Sequence, residues 1–156
     1  MGLDQYLTLV KYFYHGGRDG EPTMVDGWRL TEQRMEVLDW RKHIWVHQFF
    51  CERHAYANDC RDVQISASEL ELLADKLEQW SDDPDVLPPI DDKFRGPFFG
   101  THPSHEDYKE CRDFYCATAK DEAKQIRLAI KWLKGSSRSK KVPANVYRSV
   151  IYHVSW

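Results

Sequence analysis

The chain has 156 residues and a net charge of −3, and it is 42% hydrophobic and 13% aromatic. Length and apolar content predict one folded domain rather than a disordered segment, because a chain of about 150 residues buries roughly two thirds of its extended surface. The slightly negative balance excludes a general attraction to nucleic acid or anionic membrane, so an anion site has to be a local patch. No run of about 18 apolar residues offers a transmembrane helix.

The start, Met1-Gly2-Leu3-Asp4, lacks a basic region followed by an apolar stretch, and Tyr6 stands where acylation of Gly2 would want Ser or Thr. A cytoplasmic location in a host cell is therefore expected, with Cys51, Cys60, Cys111 and Cys116 reduced. Residues 5–14 (QYLTLVKYFY) are rich in β-branched and aromatic types and predict a strand. The glycine-rich stretch 15–20 predicts a turn, and residues 25–30 a short second strand.

A long helix is expected over about residues 31–55, with Thr31 at its N-cap. Val37, Trp40, Ile44, His47 and Cys51 share one stripe, and Leu38, Trp45 and Phe49 a second, so most of this helix would be buried. Residues 63–65 predict a short strand. Ser66-Ala67-Ser68-Glu69 is a capping box, and Leu70, Leu73, Leu77 and Trp80 follow at helical spacing, which predicts a helix over 67–80.

Residues 82–104 form a proline- and aspartate-rich connection, with Phe98 and Phe99 as its expected anchors. Ser104 is the expected cap of a last long helix over about 105–134, buried along Tyr108, Cys111, Tyr115, Ala119, Ile126, Ala129, Ile130 and Leu133 and stopped by Gly135. A basic linker, 136–141, leads to a final strand over 146–156. The order predicts an α+β domain: a small antiparallel sheet, with the N- and C-terminal strands paired, packed against about three helices.

Four stretches resemble, in order, a group of small phage and prophage proteins. Gly2-Leu3-Asp4-Gln5-Tyr6-Leu7 is similar to their GLD-x-YL start, and Trp40-Arg41-Lys42 with His47 is similar to their WRK…H segment, which runs on into aromatics, here Phe49-Phe50. Pro97-Phe98-Phe99-Gly100-Thr101 resembles their FFFG-S/T loop, and Tyr152-His153-Val154-Ser155-Trp156 their tail ending in SW. The chain departs from that pattern at Ile44, where a polar Asn is usual, and at His153 and Val154, where small polar residues are common. The resemblance implies phage origin and one compact domain, and it implies no reaction.

Within the WRK…H segment, Trp40, Arg41, Lys42, His43 and His47, with Phe99 from the loop, are the candidate ligand-binding residues. On a helix His43 and His47 stand one turn apart and can converge, Arg41 can clamp a phosphate or carboxylate with two parallel hydrogen bonds, and an indole can stack on a base. The competing reading is plain packing, with the indoles in the core and the imidazoles satisfied by internal partners. His43, His47, Cys51, His54 and Cys60, with His102 and His105, hold metal-ligand types, but no Cys-x2-Cys pair or His-Glu-x-x-His run appears, and no metal or cofactor is expected. Asp82, Asp83, Asp85, Asp91 and Asp92 read as a solvated acidic loop.

The function expected is that of a non-catalytic phage accessory protein binding a host protein or a small anionic, nucleotide-like ligand, as a counter-defence inhibitor. A small metal- or His-dependent hydrolase or nuclease is the alternative. Self-association is expected if the aromatic tail forms an exposed strand edge.

Overall fold

The computed structural model describes residues 2–14, 22–96, 99–100, 103–135 and 146–156. The predicted glycine-rich turn, the basic linker, Phe98 and His102 lie outside the described residues. Among the described residues, a four-stranded antiparallel sheet in the order β4-β1-β6-β5 packs against three α-helices. The expected α+β class and the pairing of the terminal strands are both present. No helix among the described residues is long and apolar enough to cross a membrane.

Strand β1 (Asp4–Phe13) pairs with β6 (Val146–Ser155) from Asp4↔Ser155 to Phe13↔Val146. Apolar residues on both faces of this pair, among them Leu7, Val10, Val150, Ile151 and Tyr152, are buried, as befits strands in the middle of a sheet. The short strand β5 (Val63–Ile65) covers the other edge of β6 over Val150–Tyr152. Of the aromatic tail Tyr152–Trp156, only Tyr152 is paired on that side. The predicted second strand is a hairpin, β2 (Met24–Val25) and β3 (Trp28–Arg29), turning at Asp26-Gly27, both with positive φ.

The long helix expected over residues 31–55 is not one element. Glu32–Arg41 is strand β4, antiparallel to β1, and only Ile44–Cys51 is helical (α1). A helix over residues 32–41 would leave one edge of β1 without hydrogen-bond partners, and tertiary pairing overrides the apolar spacing. The register slips between Leu7↔Leu38 and Thr8↔Glu36, so Val37 is the extra residue of a bulge, and the bulge mimics helical spacing in the sequence. Glu32, Arg34, Glu36, Asp39 and Arg41 are exposed along this outermost strand, a charge pattern that blunts a sheet edge.

Lys42 turns the chain from β4 into α1 with φ +55. Its N–H donates to Leu3 O at 2.7 Å, and its backbone lies against Gly100, where a Cβ would come within 3.0 Å of Lys42 O. Helix α2 (Ala67–Asp82) opens with the predicted capping box: Ser66 accepts from the Glu69 N–H while Glu69 accepts from the Ser66 N–H at 2.9 Å. It packs on α3 (Tyr108–Gly135) through Leu70, Leu73, Ala74 and Leu77 against Ala119, Ala123 and Ile126. Helix α3 begins at Tyr108, three residues later than expected. Its first turn closes from Cys111 N–H to Asp107 O, so Asp107, not Ser104, stands at its start.

Candidate functional site

The WRK…H residues part into two groups as the strand ends. Trp40, Arg41 and Lys42 come to a cavity of about 480 Å3 between the end of β4 and the first half of α3, a size that suits a small ligand. Its other walls include Tyr115, Phe114, Thr118 and Glu122 of α3 and Gly100 of the loop. His43, His47 and Phe99 do not reach it.

His43 is the N-cap of α1 and is fully enclosed by Trp40, Trp45, Trp80 and Tyr115, the last with its ring centroid at 4.2 Å. Its Nδ1 accepts from Val46 N–H at 3.4 Å, which leaves the proton on Nε2, and Nε2 has no hydrogen-bond partner among the described residues. Burial drives its pKa down to about 3, so the ring is neutral. His47 is buried one turn further on. Its Nδ1 lies 2.9 Å from the Tyr152 hydroxyl and its Nε2 2.9 Å from Asn58 Oδ1. Asn58 Oδ1 can only accept, so Nε2 carries the proton and Tyr152 donates to Nδ1. Burial lowers the His47 pKa, partly opposed by the Asn58 bond.

Gln5 completes this cluster. Its Nε2 donates to Tyr152 Oη and to the His43 carbonyl, both at 3.2 Å, and its Oε1 accepts from His43 N–H at 2.8 Å. Phe99 stacks on the His47 ring at 5.9 Å and meets Phe94 and Trp156 edge-on. Phe99 thus anchors the loop as expected, and it walls the His47 cluster instead of the cavity.

The two imidazoles therefore do not converge on a ligand. The expectation of a shared helical face fails because residues 40–42 belong to a strand and a left-handed corner, whereas His43 and His47 point into the core below. The same placement removes them from the hydrolase alternative. Cys51 lies beside His47, with Sγ 3.5 Å from Nε2, but burial pushes its thiol up to about 12, the reverse of an activated nucleophile. Among the described residues no group of three or more His, Cys, Asp or Glu could hold a metal ion. The loop acids are engaged at the surface: Asp85 with Arg112, Asp91 with Lys93 and Asp92 with Arg95.

The cavity has a cationic rim and a polar floor. The Arg41 side chain is 69% exposed, and its pairing with Asp4 at 3.7 Å is a surface contact of little energy. The aliphatic stem of Lys42 crosses Gly2, where a Cβ would lie 2.6 Å from Lys42 Cε. Aromatic surface comes from Phe114, which is 63% exposed, from Tyr115, whose hydroxyl donates to Arg41 O, and from Trp40.

Glu122 is the residue that sequence reasoning missed. Its Oε1 accepts from Thr118 Oγ1 at 3.0 Å. The Trp40 indole N–H faces the same carboxylate as a donor, without the alignment of a full hydrogen bond. Burial raises the Glu122 pKa, and the Trp40 and Thr118 donors pull it back. The signal was present in the sequence: Cys111, Tyr115, Thr118 and Glu122 follow at spacings of four, three and four, so two polar residues interrupt one stripe of α3.

No family model, curated protein or solved structure matches the chain.

Proposed function

We propose that the protein is a non-catalytic binder of a small anionic, nucleotide-like ligand, held in the cavity between β4 and α3. The observation that carries this reading is the cavity itself: a cation-bearing rim, Arg41 and Lys42, beside aromatic walls, Trp40, Phe114 and Tyr115. A phosphate suits a guanidinium, which offers paired donors, and a planar base suits an aromatic wall. The two histidines that could have served as acid and base are enclosed in the core away from the cavity, which favours binding over turnover. The resemblance to phage proteins supports a use in counter-defence, in which a nucleotide signal of the host is held and withdrawn.

Thermal unfolding with a panel of nucleoside monophosphates tests this reading. A ligand at a hundred times its Kd adds about 2.7 kcal/mol to stability, a readily measured rise in Tm. The expected result is a rise with at least one nucleotide, recovery of that nucleotide unchanged, and loss of the response in Arg41→Ala. No rise with any nucleotide would refute the reading, and its conversion to product would replace binding with catalysis.

A further inference from the structure

A second cavity, of about 380 Å3, opens between the turn that follows α1 and the residues that lead into β5. The turn closes through Ala57 N–H to His54 O at 3.1 Å and Asp59 N–H to Tyr56 O at 3.0 Å. Cys60, with φ +53, then redirects the chain, and Arg61 comes to lie over the Tyr56 ring, its guanidinium carbon 4.8 Å from the centroid. Arg53 lies over the Phe49 ring at 3.8 Å and donates to Phe49 O at 2.8 Å. Both arginines line the cavity. A guanidinium has five N–H donors, and a ring beneath it fixes its place while leaving donors for an anion.

The carboxylates around them are engaged elsewhere. Asp62, also in the wall, is held by Arg34 at 2.8 Å and lies 3.0 Å from His153. Glu69 pairs with His54 at 2.6 Å and accepts from the Ser66 N–H at 2.9 Å. Arg53 meets Glu52 at 3.7 Å, a surface contact of little energy. Arg61 has no ion pair among the described residues. Two positioned cations therefore face open volume, in a chain whose net charge is −3.

We propose that this cavity is a second anion site, built for a dianionic phosphate group. The charges of Arg53 and Arg61 together match that of the dianion, and planar guanidiniums offer paired donors to its oxygens. A carboxylate carries half that charge on two oxygens and engages both arginines less well. Tyr56, 58% exposed, stands in the same wall and offers apolar surface to whatever carries the phosphate. The site shares no residue with the cavity between β4 and α3, so it stands independently of the nucleotide reading.

The test is a titration of the 15N-labelled full chain with phenyl phosphate, inorganic phosphate and benzoate, at about pH 7.5, where a phosphate monoester is mostly a dianion. The backbone amides of residues 53–56 and 61–64 report this cavity, and those of residues 39–42 the other. The expected result is a shift of the first set that saturates with both phosphates, persists in Arg41→Ala, and needs at least about ten times more benzoate. Arg61 is exposed, so Arg61→Gln keeps the fold, and it should weaken phosphate binding at the first set by at least about ten-fold. Tighter binding of phenyl phosphate would make a phosphate ester the ligand, and equal binding the free ion; either result supports the site. No saturable shift of the first set, benzoate binding as tight as phosphate, or a response unchanged in Arg61→Gln would overturn it.

Discussion

Two polar clusters lie within a few residues of each other along the chain, and they differ in closure. In the first, Gln5, His43, His47 and Tyr152 of β1, α1 and β6, with Asn58 from the turn after α1, match donor to acceptor at every position but His43 Nε2, and the loop is fastened over them by Phe99. In the second, Trp40 and Glu122 bring a donor and an acceptor face to face without a well-aligned hydrogen bond, beside open volume. The first is what a packed core needs, since an orphaned buried polar group costs about 1–3 kcal/mol. The second borders open volume with Arg41 and Lys42 at its rim. The difference teaches that histidines are not a reliable marker of a site in this chain, and that open volume beside fixed cations is the better one.

The comparison can be broken most sharply at Gln5. Gln5→Leu orphans the His43 N–H and carbonyl and one contact of Tyr152, and should cost at least about 3 kcal/mol in urea unfolding. A loss under about 1 kcal/mol would mean that the first cluster is not closed as described. Tyr152→Phe, which leaves His47 Nδ1 without its donor, should cost about 1–3 kcal/mol.

Acid sharpens the same contrast. His43 titrates near 3 in the fold and near 6.5 in the unfolded chain, and His47 is lowered as well. Above about pH 6.5 both rings are neutral in either state. As pH falls below that, the unfolded chain takes up protons that the fold refuses, so stability declines by up to about 1.4 kcal/mol per pH unit per histidine. The urea midpoint should therefore drop between pH 6.5 and 4.5, and His43→Asn should flatten that slope while keeping an N-cap. An unchanged slope would contradict the burial of His43. Glu122, with its raised pKa, acts in the opposite sense, because the fold takes its proton first.

The second cluster should respond least. Glu122→Gln removes a partly buried carboxylate, and should change stability by no more than about 1 kcal/mol. Arg41→Ala should change stability by less than about 0.5 kcal/mol, because its contacts are at the surface. A large loss in either variant would place these residues in the fold's support instead of its site.

Much of the fold was legible, and the failures have physical causes. The capping box at Ser66 and the leucine spacing of α2 are local signals, and local signals decide a helix with an exposed face. The terminal strands were readable because both are continuously β-branched and aromatic. Residues 32–41 were not, because whether they pair is decided by the unpaired edge of β1, and the bulge at Val37 shifts the apolar positions into three- and four-residue spacing. That error carried into the site. With residues 40–47 on one helix, the cations and imidazoles would share a face, but the corner at Lys42 sends them to different places. Trp40, Arg41 and Lys42 stayed together because they are adjacent in sequence. Glu122 joined them from 80 residues away, by a helix–strand contact that a single stretch of sequence does not contain.

The most direct test of the cavity reading is the Trp40 indole N–H resonance in 15N-labelled protein, assigned with Trp40→Phe and followed as a nucleoside monophosphate is titrated. A ligand held between β4 and α3 predicts a shift of that resonance that saturates with the binding isotherm. Saturable nucleotide binding that leaves the Trp40 resonance in place would contradict it.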